Sequence, residues 1–257
     1  AIVPISALKG HNVVEASNNW CGYSGPSLLQ ILELLPVTPA DTQVPFAFPV
    51  QWVEKFSASA DTSQGRRIFW GRVATGVVQV GQKISVLPSG HTATVAQVLG
   101  HTRKPGSVQA GHSAGIVLDR ELDVSRGDWL LASADNTNAD EFDDTPTSLV
   151  SGLVASRELR ATVAWMDDES LVAGRVYWAL HGHRWVKAKV KRIVHKLDIN
   201  TLAEEDADHL DANSIGHVEL TLQDGIAALP YAQSRVLGSL VLVDTASHKT
   251  AGAVLIY

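Results

Sequence analysis

The sequence predicts a mainly β protein in which a short strand and a helix precede two antiparallel β-barrels. From Pro45 onward, β-branched and aromatic runs are interrupted by glycine about every 8 to 12 residues, which is typical of antiparallel sandwiches and barrels. Before Pro45, residues 27–35 have the leucine spacing of an amphipathic helix. With 257 residues, of which 45% are hydrophobic and 19% charged, the chain can bury the cores that this architecture needs.

The N-terminal part, residues 1–42, is predicted to contain a strand at residues 2–5 and then the helix. Gly25 and Pro26 precede the helical run and Pro36 follows it, and proline is favoured in a first helical turn and just after a helix ends. Two such elements bury too little apolar surface to fold alone, so we expect this part to be the end of a larger domain. The side chains expected to share the apolar face of the helix are Leu28, Leu29, Leu32 and Leu35.

Two barrel regions follow, at residues 43–137 and 147–257. The segment between them, residues 134–146, is rich in Asp and Asn and is interpreted as a linker or long turn. Later in the chain, Thr201 and Glu204 form a capping-box pattern, which predicts a short acidic helix or turn. The runs expected to form strands lie within residues 48–53, 68–76, 77–90, 93–99, 113–118, 125–131, 171–182, 183–194, 217–223 and 237–244.

Charge, cysteine content and apolar runs narrow the class of protein. The 27 acidic and 21 basic side chains give a formal net charge of −6, which disfavours a general nucleic-acid-binding surface. The single cysteine, Cys21, can form neither an internal disulfide nor a cysteine zinc site, which fits a reducing compartment. No run approaches the ~18 apolar residues of a membrane span and no signal peptide is apparent, so we expect a soluble cytoplasmic protein without a membrane partner.

The common catalytic and nucleotide-binding motifs have no match in the sequence. The absent patterns are G-x-x-x-x-G-K-[ST], G-x-G-x-x-G at the start of a helix, and G-x-S-x-G. Two acidic stretches, Asp143 with Asp144 and residues 167–169, lie in polar turn-like sequence, where surface turns are favoured over acid–base catalysis. No catalytic residue is therefore predicted.

Two further candidates for chemistry are interpreted as structural. His181 and His183 would lie on one side of a strand, as two metal ligands could, but no third ligand is close in sequence. Cys21 has no neighbouring His or Lys to activate it, so a small packing residue is favoured over a nucleophile. The sequence therefore predicts no metal site.

A basic strip is the most distinctive charged feature. Lys187, Lys189 and Lys191 alternate with apolar residues, which places the three ammonium groups on one face of a strand. Such a face could bind phosphates or an acidic partner protein. It could instead protect an edge strand against pairing with other chains, which we favour because the whole chain is acidic. The strip comprises Arg184, Lys187, Lys189, Lys191 and Arg192.

Several motifs resemble those of the translation-factor GTPases. PISALKG at residues 4–10 resembles the last guanine-binding motif of that superfamily, GRVATGVVQVGQKISVLPSG at 71–90 resembles its second domain, and SRGD at 125–128 resembles the end of that domain. The likeness is greatest to the large, GTPase subunit of bacterial sulfate adenylyltransferase and extends over nearly the whole chain. The segments of this second likeness are YSGPSLLQILELL at 23–35, PFAFPVQWV at 45–53, DVSRGDWLLA at 123–132, HKLDINTL at 195–202, IGHVEL at 215–220 and YAQSRVLGSLVLVD at 231–244.

The sequence departs from this family at two points. Residues 54–67 replace a shorter stretch, and the phosphate loop, magnesium-binding threonine, switch segments and N-K-x-D motif have no counterpart. The resemblance implies that Ser6, Ala7 and Leu8 lie beside the guanine ring, with backbone N–H groups as the contacts. It implies GTP and magnesium in the intact protein but no cofactor for this chain alone, because binding depends on the phosphate cradle and magnesium.

The resemblance also implies a function in sulfate assimilation. In this family, GTP hydrolysis by the large subunit drives synthesis of adenosine 5′-phosphosulfate from ATP and sulfate, and a small catalytic subunit performs the adenylyl transfer. We expect the chain to be the non-catalytic barrel portion, inactive alone, with the small subunit and its own GTPase domain as partners. Two alternatives stay open: the barrels of an elongation-type GTPase that binds aminoacyl-tRNA, or a stand-alone β-barrel binding module.

Overall fold

The computed structural model describes residues 2–35, 41–55, 67–100, 106–133, 153 and 155–257, and the chain divides into two compact units, Ala1–Pro39 and Ala40–Tyr257. In the first unit, a 3-10 helix spans Trp20–Gly22 and helix α1 spans Leu28–Leu34, which confirms the predicted helix. The Ser27 Oγ accepts a hydrogen bond from the Gln30 backbone N–H at 3.3 Å, and the Gln30 Oε1 accepts one from the Ser27 N–H at 2.9 Å. This reciprocal capping box satisfies two backbone donors and fixes where α1 begins.

Two other expectations for the first unit are wrong. Residues 2–5 form no strand, because a strand needs a hydrogen-bonded neighbour and none of the described residues pairs with this segment. The carbonyl of Pro4 instead accepts a hydrogen bond from the Asn12 side-chain amide at 3.0 Å. Cys21 is exposed and is therefore not a packing residue, and its positive φ of 56° departs from the dihedral angles of the 3-10 helix around it.

The first barrel lies in the second unit. Its strands are β1 Ala47–Lys55, β2 Arg67–Arg72, β3 Val77–Val78, β4 Lys83–Leu87, β5 Thr92–Leu99, β6 Val108–Gln109, β7 Ser113–Leu118 and β8 Trp129–Ala132. Six of them close an antiparallel barrel in the order β1-β2-β7-β5-β4-β8, and the short β3 and β6 pair with each other. In β4 the side chains of Ile84 and Val86 are buried while their neighbours are not, as the two-residue period of a strand requires.

The second barrel follows the same design with longer strands. They are β9 Ala155–Trp165, β10 Leu171–Val172, β11 Val176–His181, β12 Arg184–Leu197, β13 Glu204–Glu205, β14 His209–Leu210, β15 Ile215–Ala227, β16 Ser239–Asp244 and β17 Thr250–Ile256. The order β11-β16-β17-β9-β15-β12 is closed by pairing of β12 with β11. Along β12 the register against β15 shifts at two β-bulges or irregularities, between Val190 and Arg192 and between Ile193 and His195.

The mainly β class with two barrels is therefore confirmed, while the domain boundaries stay a prediction. The predicted linker at residues 134–146 and most of the departure at 54–67 lie outside the described residues. The short acidic helix or turn expected from Thr201 and Glu204 is wrong, because the segment after Thr201 contains the short strands β13 and β14. The turn lies just before it, where the Asp198 Oδ1 accepts hydrogen bonds from the backbone N–H groups of Asn200 and Thr201 at 2.8 and 2.7 Å. In the part of the chain that the structure describes, every helix is too short or too polar to reach across a lipid bilayer.

Candidate functional site

The segment that resembles the guanine motif forms a tight turn. The Gly10 N–H donates to the Ser6 carbonyl at 2.7 Å, and the Lys9 N–H donates to the Ser6 Oγ at 3.2 Å. Ala7 and Leu8 lie at the exposed tip, and no described residue accepts a hydrogen bond from either backbone N–H group. The tip therefore offers two free backbone donors.

The basic strip lies on β12, which is an interior strand of the second barrel. It pairs with β11 on one side and with β15 on the other, so the interpretation as a protected edge strand is wrong. The alternation itself is confirmed, because Lys187, Lys189 and Lys191 are exposed while the apolar residues between them are buried. The alternation shows which face of the strand is exposed to solvent, but it contains no information on whether both edges of the strand are paired.

Acidic side chains of β9 and β15 neutralise part of the strip. The Lys191 Nζ lies 3.2 Å from a Glu158 carboxylate oxygen, and an Arg192 guanidinium nitrogen lies 2.8 Å from a Glu219 carboxylate oxygen. A phosphate backbone would have to displace these carboxylates, which weakens the strip as a nucleic-acid surface.

Arg184, the first residue of β12, belongs instead to the contact between the two barrels. One guanidinium nitrogen lies 3.3 Å from the Asp128 Oδ1 of the first barrel, and the other lies 3.8 Å from the Asp224 Oδ2 on β15. The side chains of Arg184 and Asp128 are only 15% and 16% exposed. Burial raises the pKa of Asp128 even though Arg184 is close, so desolvation is the dominant influence on this carboxylate.

An aromatic contact lies beside this ion pair. Trp129 of β8 is fully buried and stacks on His181 of β11, with ring centroids 5.0 Å apart. Burial lowers the pKa of His181 to about 4, so the imidazole is neutral at neutral pH and its Nε2–H donates to the Leu237 carbonyl at 3.2 Å. The apolar cluster around them draws on both barrels and comprises Ala47, Ala74, Trp129, Leu131, Ala227 and Leu237.

Two glycines allow the barrels to approach this closely. Gly182 has a φ of +59°, and a Cβ added there would lie 2.7 Å from the indole of Trp129. Gly127 has a φ of +96°, and its added Cβ would lie 2.8 Å from the His183 carbonyl oxygen. His181 is therefore a packing residue of the barrel contact, to which His183 contributes its backbone carbonyl, and none of the described residues joins the two as a third metal ligand.

Of the remaining acidic candidates, the structure describes only residues 167–169. Residues 167–169 lie in a surface turn, where Glu169 pairs with Arg175 at 2.6 Å. Asp143 and Asp144 lie outside the described residues.

Two closed antiparallel barrels in contact are the fold that is also found in translation-factor GTPases. The family model described as GTP-eEF1A C-terminal domain-like matches residues 158–257. Crystal structures of sup35 complexed with GDP and with GMPPNP are similar to the chain with a TM-score of 0.68, at 19% and 20% sequence identity. Each match covers 98% of this chain and 57% of the sup35 chain, and at this identity it establishes the fold alone.

Curated relatives define the family more narrowly. The bifunctional enzyme CysN/CysC of Xylella fastidiosa is 37% identical to the chain, and sulfate adenylyltransferase subunit 1 of Salmonella typhi is 34% identical, each over 98% of the chain. Along nearly its whole length, the chain is therefore homologous to these sulfate adenylyltransferase subunit 1 and CysN/CysC proteins. It spans 37% of the length of the first relative and 48% of the second.

Sequence reasoning missed both partners of the barrel contact in the first barrel. It selects Arg184 for its charge and His181 for its motif, but it does not pair Arg184 with Asp128, 56 residues earlier, or His181 with Trp129. The one available signal is the SRGD likeness at residues 125–128, which contains Gly127 and Asp128 and directly precedes Trp129.

Proposed function

We propose that this chain is the barrel part of the GTPase subunit of a sulfate adenylyltransferase. In the intact protein, a GTPase domain hydrolyses GTP with magnesium, and a small catalytic subunit forms adenosine 5′-phosphosulfate from ATP and sulfate. The observation that supports this most strongly is the 34–37% identity along 98% of the chain to the two curated relatives. The barrels themselves perform no bond-making step in this proposal.

The two barrels are proposed to move as one body and so to couple the GTPase domain to the small subunit. The Arg184–Asp128 ion pair and the Trp129–His181 stack support this, because they join the barrels at adjacent points. A rotation of one barrel on the other would break a poorly solvated ion pair and expose a buried indole. A force applied to either barrel is therefore transmitted to both.

Arg184→Ala in the intact subunit, assembled with its small subunit, is expected to uncouple the two reactions. The substitution removes one of the two contacts and leaves Asp128 without its nearest cation. The amount of adenosine phosphosulfate formed per GTP hydrolysed should fall by at least about 5-fold, the lower end of ordinary coupling energies.

The matched control is Arg192→Ala, because Arg192 is 59% exposed and its acidic partner Glu219 belongs to the same barrel. This variant should leave the ratio of product to hydrolysed GTP unchanged. An unchanged ratio in Arg184→Ala, with the protein folded by circular dichroism, would contradict coupling through the barrel contact.

The chain alone is expected to bind GTP negligibly. The backbone donors at Ala7 and Leu8 could meet a guanine ring, but phosphate loops and magnesium supply most of the affinity in such proteins. Calorimetric titration with GTP and magnesium should give no saturable heat up to roughly 100 µM, a range that would reveal any binding stronger than about −5.5 kcal/mol. Micromolar binding would contradict this expectation.

Aminoacyl-tRNA provides the test that separates the elongation-type alternative from the proposal. Strong binding that weakens steeply with salt would favour that alternative. The pairing of Lys191 with Glu158 and of Arg192 with Glu219 speaks against it.

A further inference from the structure

Three side chains with metal-binding atoms meet towards the end of β12 that is remote from the barrel contact. His195 on β12, Glu204 on β13 and His217 on β15 each offer one ligand atom, and these atoms lie within 4.8 Å of one another. His195 and His217 are direct cross-strand partners whose ring centroids are 4.4 Å apart. Glu204 pairs with Leu197, and the ring of Tyr257 lies against His217 with centroids 4.9 Å apart. Three neighbouring strands therefore deliver the three groups to one point.

One of these groups has an unsatisfied buried atom. The side chain of His195 is 13% exposed, and its Nε2 has no hydrogen-bond partner among the described residues. The Glu204 Oε1 is 3.4 Å away, which is close enough for attraction but not aligned for a hydrogen bond. A buried polar atom without a partner is costly, so a cation that binds to it is favoured.

We propose that His195, Glu204 and His217 form a binding site for a divalent transition-metal ion, with zinc as the ion that fits best. Two imidazole nitrogens and one carboxylate oxygen are a ligand set that zinc accepts, and they leave a fourth position for water. The site does not depend on the function proposed above. The sequence does not predict this metal site, because its three ligands lie on three separate strands.

The spacing of the ligand atoms is compatible with this ion. Around a tetrahedral zinc the ligand atoms lie about 3.3 Å apart, since each is about 2.0–2.1 Å from the metal. The 3.4 Å separation of the His195 Nε2 and the Glu204 Oε1 already matches this value. The third atom must move inward by up to about 1.5 Å, which side-chain rotation can supply.

The turn that leads to Glu204 is fixed by its own hydrogen bonds. Besides accepting the two backbone N–H bonds described above, the Asp198 Oδ1 accepts a bond from the Thr201 hydroxyl at 3.0 Å. The Asp198 N–H donates to the Ala203 carbonyl at 2.9 Å, and the pairing of Glu204 with Leu197 continues this ladder. The backbone at Glu204 is therefore held beside the histidines before any ion binds, so zinc would join β12, β13 and β15 with little ordering of the main chain.

The test is a calorimetric titration of zinc chloride into the full chain, repeated with cobalt chloride and recorded by visible absorption. One zinc ion should bind with a dissociation constant of about 10 µM or lower, which corresponds to affinity well above that of isolated surface histidines. His217→Ala should weaken binding at least ~100-fold and Glu204→Gln at least ~10-fold, because losing a ligand costs no less than losing a group that orients one. Tetrahedral cobalt absorption should appear in the wild type and vanish in His217→Ala.

His209→Ala is the matched control. His209 also has two carboxylates nearby, with ring nitrogens 2.6 Å from Asp208 and 3.5 Å from Asp211, but it is 49% exposed and lies outside the cluster. Because Glu204 is 68% exposed, Glu204→Gln is expected to leave the chain folded, so a loss of zinc binding in this variant reports on the site and not on unfolding. Loss of zinc binding in Glu204→Gln with retention in His209→Ala supports the site. No saturable binding to the wild type, or loss in His209→Ala with retention in Glu204→Gln, overturns it.

Discussion

Trp129→Ala is expected to lower the free energy of unfolding by about 3–5 kcal/mol, the range for deleting a large buried aromatic side chain. Trp129 has no exposed surface, and the cavity left behind would be bounded by residues of both barrels. Its indole Nε1 has no hydrogen-bond partner among the described residues, so the loss is one of packing. Because the cluster holds the barrels together, we also expect the single unfolding transition to separate into two.

Urea denaturation followed by fluorescence and by far-ultraviolet circular dichroism measures both effects. Trp52→Ala is the control, because Trp52 is 64% exposed on β1 and its removal should cost less than about 1 kcal/mol. Equal losses in the two variants would show that the barrel contact does not depend on Trp129.

Lowering the pH is expected to destabilise the protein through His181. This effect should begin well above the pH at which the Asp and Glu side chains of the protein become protonated. Burial lowers the pKa of His181 to about 4 in the folded chain, whereas an unfolded histidine titrates near 6.5. Between these values the unfolded chain binds the proton and the folded chain does not. The contribution of a neutral His181 is therefore fully present above about pH 6.5 and is lost as the pH falls towards 4.

The wild type should lose about 2–3 kcal/mol more than His181→Gln between about pH 7.5 and about pH 4.5, when both are unfolded in urea at each pH. The dependence of the unfolding free energy on pH, the slope, must be compared between the wild type and His181→Gln. Burial also lowers the pKa of His183 and of His217, which adds to the acid sensitivity of both proteins. Parallel slopes in the two proteins would mean that His181 takes up its proton at the same pH in the folded and the unfolded chain, which would contradict the prediction. His248→Gln, a change at an exposed histidine, should reproduce the wild-type slope.

The sequence predicts the class of fold well because the signals for strands and for α1 are local. The two-residue period places Lys187, Lys189 and Lys191 on the solvent-exposed face of β12, and Gly25 with Pro26 precedes the start of the helix. The strand expected at residues 2–5 is wrong because strand formation depends on a neighbour that no local pattern specifies.

The site is less predictable, since its partners are distant in sequence. Cross-strand register decides that His195 meets His217, and register follows from the barrel as a whole. Likewise, the sequence alone places Arg184 in a possible phosphate-binding strip, whereas the structure shows that it pairs with Asp128 of the first barrel. The charge of a residue is visible in the sequence, but the charge opposite it is not.

The two irregular positions in β12 determine which side chains of that strand face the barrel interior along each part of its length. Lys191 and Arg192 are both exposed although neighbours in a regular strand face opposite sides, so the extra residue at this point inverts which side chains point inward. A second shift before His195 resets the alternation. Losing or gaining one residue between Val190 and His195 would thus turn the imidazole away from His217 while leaving Arg184 in place, so length changes in this stretch act on one end of the barrel and spare the other.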